Sequence, residues 1–142
     1  MKTTIYIGID TGDHTGFAVW DGQRFVELAT YKIHQAMERV KFYAIDCGLN
    51  VKVFFEDARQ RKYLPKEMSQ SQYRGKLMGA GSVKRDANIW EDFLADYRIP
   101  YEAVAPHRGM TKYTAERFAN VTGWEGRTSE HARDAGLLVY GR

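Results

Sequence analysis

The stretch Thr4-Ile5-Tyr6-Ile7-Gly8-Ile9-Asp10-Thr11-Gly12-Asp13-His14-Thr15-Gly16-Phe17-Ala18-Val19-Trp20 decides how this chain is read. Ile5, Ile7 and Ile9 share one face of a strand, and Tyr6, Gly8 and Asp10 share the other. The apolar run stops at the Asp10 carboxylate. A glycine-containing turn follows, and Phe17-Ala18-Val19-Trp20 continues as a second strand. An aspartate ending a hydrophobic strand is costly to bury without a partner, and a metal cation is one candidate for that partner. The competing reading is that Asp10 only caps the turn.

Working outward, residues 4–10, 15–20 and 24–31 read as an antiparallel meander, with Asp21-Gly22 marking the second hairpin. The period then changes. Ile33, Ala36, Met37, Val40, Ala44 and Cys47 follow helical spacing over His34–Leu49, and Gly48 supplies the stop. Cys47 falls on the apolar face of this helix and is expected to be a buried spacer. Val51–Glu56 reads as a buried strand that ends in acid. Reached through a helix, it is expected to be parallel within the sheet. Residues 57–80 are polar and basic and read as a loop leading into a short helix. After Gly79-Ala80-Gly81-Ser82, the residues Val83, Ala87, Trp90, Leu94 and Tyr97 form one helical stripe. Tyr101–Ala105 is a short strand, His107–Thr111 a loop and Tyr113–Asn120 a helix. Thr128 is the expected cap of a last helix, Ser129–Tyr140. The pattern predicts an α/β fold: a mixed five-stranded sheet, three antiparallel strands and then two parallel ones, with helices on its faces. It leaves the strand order open.

At 142 residues the chain is read as one domain, 1–142, able to bury its own core. Hydrophobic residues make up 44% and charged residues 27%, the balance of a globular protein. No apolar run reaches membrane-spanning length, and the opening residues run straight into a strand, so neither a membrane segment nor a signal peptide is expected. The single cysteine fits a reducing, cytoplasmic compartment. The net charge is only +3, but it is unevenly spread. Arg59, Arg61, Lys62, Lys66, Arg74, Lys76, Lys84 and Arg85 are opposed between them only by Glu67. That local excess points to a polyanionic partner or, as the plainer alternative, to a solvated loop. There is no Gly-Lys-Ser/Thr sequence, so a P-loop is excluded and no nucleotide cofactor is expected.

Four residues carry candidate chemistry. Asp10 closes the first strand, and Glu56 closes the strand after the first helix. His131 and Asp134 lie three apart and so share a helix face. If the two strands are parallel neighbours, Asp10 and Glu56 emerge at one sheet edge. Three carboxylates and an imidazole at that edge require protonation or divalent cations. Hard carboxylate oxygens suit Mg²⁺ or Mn²⁺. Two such ions about 4 Å apart can drive phosphodiester hydrolysis. Asp13, Asp21 and Asp57 are read as structural, Asp57 because strand alternation turns it away from Glu56.

At these residues the chain resembles the RuvC-type Holliday junction resolvases of the ribonuclease H-like superfamily. The motifs are Ile7-Gly8-Ile9-Asp10 with Gly12 and Thr15-Gly16, Phe54-Phe55-Glu56, Ala105-Pro106, and His131-Ala132-Arg133-Asp134-Ala135. The resemblance implies a ribonuclease H-like fold with the first strand central. It implies a metal-dependent endonuclease with two Mg²⁺ ions per site (Mn²⁺ substituting) that nicks four-way DNA junctions as a homodimer in a bacterial cell or phage-infected host. Asp10, Glu56 and Asp134 match the metal-binding carboxylates, and His131 matches a position that is Asp or His. The chain is shorter than cellular members, like a phage or mobile-element version. Nucleic-acid contacts are then expected from Arg59, Arg61, Lys62 and Tyr63 in the loop after the glutamate, from Arg74 and Lys76, and from Arg108 and Lys112 near the scissile phosphate. The Trp90 helix is the dimer surface the resemblance suggests, although a stripe of Ala87, Trp90 and Leu94 is more often ordinary core. Alternatives are a same-fold nuclease for structured RNA and a non-catalytic nucleic-acid-binding domain. An actin- or sugar-kinase-like ATPase would need a second domain of this kind.

Overall fold

A computed structural model of the chain describes residues 3–60, 70–106 and 112–142. Its strands are β1 (Thr4–Asp10), β2 (Thr15–Trp20), β3 (Phe25–Tyr31), β4 (Asn50–Glu56) and β5 (Tyr101–Val104). Its helices are α1 (Ile33–Lys41), α2 (Gln70–Asp96), α3 (Ala115–Thr122) and α4 (Glu130–Val139). The strands form one sheet in the order β3-β2-β1-β4-β5. β1 is central, antiparallel to β2 and parallel to β4, and β5 adds parallel to β4. The expected mixed sheet of three antiparallel and two parallel strands is therefore present, and the strand order is now defined.

The alternation seen in sequence becomes two cores. On one face Ile7, Ile9, Phe17, Val19, Val53 and Phe55 pack against Ala36 and Val40 of α1 and against Ala87, Trp90 and Leu94 of α2. On the other face Ala18, Trp20 and Phe54 pack against Phe118 of α3 and Ala135 and Val139 of α4. Burying each large side chain contributes about 1.5–3 kcal/mol, so both layers hold their helices firmly.

Several local expectations shift. The helix after β3 ends at Lys41 and continues as a π turn over Phe42–Asp46. The wider turn slips the 3.6-residue stripe. Tyr43 turns inward, while Phe42, Ile45 and Cys47 are exposed, so Cys47 is not the buried spacer its spacing predicted. α2 starts at Gln70 rather than after the glycine cluster. Polarity alone was a poor loop signal there, because Gln, Arg, Lys, Leu and Met all propagate helices well. Ala87, Trp90 and Leu94 are fully buried and Tyr97 is 45% exposed. The stripe is core, as a stripe of this kind more often is. Ser129, not Thr128, caps α4, its hydroxyl accepting from the Ala132 amide at 3.0 Å. The Thr128 carbonyl and hydroxyl instead accept from the Arg133 guanidinium.

Candidate functional site

The parallel register sets the first half of the site. Ile9 pairs with Phe55 across β1 and β4, so the next residues, Asp10 and Glu56, leave the sheet side by side. α4 brings the second half. It lies directly on the Asp10 face of β1 and β2, at two glycines. A Cβ at Gly8 would collide with the carbonyl oxygen of Ala135, and one at Gly16 with that of His131. Any side chain at either position would lift α4 off the sheet. With glycines there, His131 Nδ1 comes 3.1 Å from Asp10 Oδ2, placed to donate to it.

Burial pushes the Asp10 carboxyl up to about 6, against the hydrogen bond from His131, and the nearby carboxylates of Glu56 and Asp134 add to the rise. The four residues picked out in sequence are thus in one electrostatic neighbourhood. Asp134 Oδ2 lies 3.4 Å from Lys112 Nζ, which also donates to Glu130. These partners raise the Lys112 ammonium above its usual range, with Glu130 the main cause. The Thr11 hydroxyl donates to the Glu56 carbonyl at 3.2 Å, tying the loop after β1 to the end of β4.

Among the described residues, no three His, Cys, Asp or Glu side chains stand close enough to hold a metal ion as they are placed. The donor set nonetheless has the chemistry for a hard divalent cation. It comprises three carboxylates, one with its charged form disfavoured by burial and by the other two. Here the His131 ring hydrogen-bonds Asp10 and the Lys112 ammonium pairs with Asp134.

Two members of this neighbourhood were not picked out from sequence. The His14 ring stacks on His131 with centroids 6.1 Å apart and planes 25° apart. Glu130 holds Lys112. His14 could have been found from its place in the loop that follows Asp10. Glu130 carries no such signal, since an acid in the first turn of a helix is ordinary.

The expected nucleic-acid contacts divide. Lys112 is exposed and adjoins the acids. Arg74 and Lys76 fall on α2. Arg61, Lys62, Tyr63 and Arg108 lie outside the described residues. Arg59 does not face outward: its guanidinium is bound to Asp57, Asn88 and Glu91. Asp57 is 3% exposed and points away from the acidic cluster, as strand alternation required.

The sequence matches no protein-family model, and no curated protein is significantly similar to it. Among the described residues, no helix is long and apolar enough to cross a membrane.

Proposed function

We propose that the chain is a metal-dependent endonuclease of ribonuclease H-like fold that cuts branched DNA, with four-way junctions as its substrate. The observation that carries this reading is the meeting of Asp10, Glu56, His131 and Asp134 at the carboxyl end of the central strand. Parallel register sets Asp10 beside Glu56, and two glycines let α4 bring in His131, 121 positions from Asp10, together with Asp134. A structural role gives no reason to gather acids whose mutual repulsion and burial cost stability.

Asp10, Glu56 and Asp134 would hold Mg²⁺ or Mn²⁺, with His131 as a further ligand or proton carrier. The bound ions would supply an activated water and charge neutralisation at the phosphodiester. The chain's own contributions are separable from that chemistry. Asp10 is sunk in the sheet edge and presents a fixed carboxylate. His131 can take up or release a proton beside it. Lys112, on an exposed side chain, can exchange Glu130 and Asp134 for a substrate phosphate. Paired nicks on opposite strands need two such sites, and hence a homodimer.

The test is cleavage of an end-labelled four-way junction in Mg²⁺, wild type beside Asp10→Asn. Symmetric nicks near the branch point that vanish in the variant are expected. A wild type that binds the junction in Mg²⁺ and Mn²⁺ without cutting it would overturn the DNA-resolving reading. Cleavage of a structured RNA instead would redirect it to that substrate.

A further inference from the structure

We propose that Arg59 is a positioning residue for Glu56: it ties the end of β4 to α2 and is not a nucleic-acid contact. The inference rests on the nuclease reading for its catalytic consequence, but not for its geometry.

A guanidinium has five N–H donors in a rigid fork. In Arg59 every one is engaged inside the protein. Nε donates to Asp57 Oδ1 at 2.7 Å and Nη2 to Asp57 Oδ2 at 2.9 Å. Nη1 and Nη2 donate to the two carboxylate oxygens of Glu91 at 3.2 and 3.1 Å. Nη1 also donates to Asn88 Oδ1 at 2.8 Å. Two bidentate pairs and one amide therefore use the whole fork. A phosphate could be bound only by breaking one of these pairs, and the Asp57 side chain, 4% exposed, would then be a buried uncompensated charge.

The partners explain what the knot holds. Asp57 follows Glu56 directly and opens the short 3₁₀ turn Ala58–Gln60. The Asp57 amide donates to the Val104 carbonyl at 2.7 Å, and the Gln60 side chain reaches both Asp57 Oδ2 and the Ala103 carbonyl. Asn88 and Glu91 belong to α2, whose Ala87 and Trp90 are fully buried beneath the sheet. The residue after Glu56 is thus pinned to β5 on one side and, through Arg59, to a helix anchored in the core. Glu56 ends β4 between β1 and β5, paired with Val104, and the knot fixes the backbone directly after it. Arg59 therefore acts on Glu56 through the backbone, by holding the residue that follows it and so the strand end that carries the carboxylate.

The experiment compares wild type with Arg59→Lys and Glu91→Gln in three assays on the full chain. The first is amide hydrogen exchange at Asp57 and Gln60, which needs no metal or substrate. The second is Mn²⁺ affinity by calorimetry together with single-turnover cleavage. The third is junction binding in Ca²⁺ across a salt series. Lys keeps the charge but cannot make the two bidentate pairs, so faster exchange at both amides is expected. Metal affinity and cleavage rate should fall about 10- to 100-fold, with Glu91→Gln moving the same way. Junction affinity should stay within about twofold and the salt slope should be unchanged. Wild-type exchange in both variants would overturn the inference. So would normal metal binding and cleavage combined with weaker junction binding and a shallower salt slope, which would make Arg59 a phosphate contact. If the wild type neither binds Mn²⁺ nor cuts, the nuclease reading falls, and the exchange assay still decides whether the knot exists.

Discussion

Asp10 shows how a single residue can lower stability while serving a site. Its folded carboxyl titrates near 6, above the ordinary 3.8, chiefly because it is buried. A raised folded value means a contribution that is fully present below about pH 3.8 and lost as pH rises through about 6. Asn at this position carries no charge to bury. Asp10→Asn should therefore be more stable than wild type at pH 8 in metal-free buffer, by about 1–3 kcal/mol, with the difference disappearing by pH 4. Urea unfolding at the two pH values checks this, and a destabilised variant at pH 8 would refute it. The same substitution should lower junction cleavage by about 10³-fold or more. A gain in stability coupled to a loss of activity is the signature expected of a catalytic carboxylate.

At the scale of elements, two contacts matter most. The first is α4 against β1 and β2. Gly16→Ala places a methyl group against the His131 carbonyl and the Asp10 side chain, so α4 must move. The expected result is a fold retained but weakened by about 2–4 kcal/mol, with cleavage reduced more than junction binding. Unchanged stability and activity would show that the helix does not sit this close. The second contact joins β3 to α1. Glu27 accepts from Tyr31 and Tyr43 and is paired with Arg39. Burial acts to raise its carboxyl, but the hydrogen bonds from Arg39, Tyr31 and Tyr43 outweigh it and hold the carboxyl below its ordinary value. A lowered folded value contributes stability above pH 4.5 that is lost as pH falls through the folded value. Glu27→Gln should cost about 2–4 kcal/mol at pH 7 and much less at pH 3. A pH-independent cost in urea titrations would assign the loss to packing instead.

At the scale of the whole molecule, the sheet is clad on both faces, and Trp90 lies under the α1–α2 face at 0% exposure. Trp90→Ala should cost about 3–5 kcal/mol by denaturant unfolding while leaving the sedimentation coefficient of the folded protein unchanged. A mild effect on stability together with a change in oligomeric state would return this stripe to the surface. Much of the architecture was legible in the chain. The period-two alternation of Ile5, Ile7 and Ile9, the Asp21-Gly22 turn and the switch to helical spacing after Tyr31 are local signals, written in neighbouring residues. They determined the strand and helix types, the mixed sheet, and Asp10, Glu56, His131 and Asp134 as candidates. The tertiary structure alone decided the strand order, the commitment of Arg59 to Glu91, the slip at the π turn that exposes Cys47, and the nearness of His14 to His131. Each of these depends on which distant partner a group meets, as His131 meets Asp10 across 121 positions of chain. The charge of an arginine is written in the sequence, but the carboxylate that will satisfy it is chosen by packing.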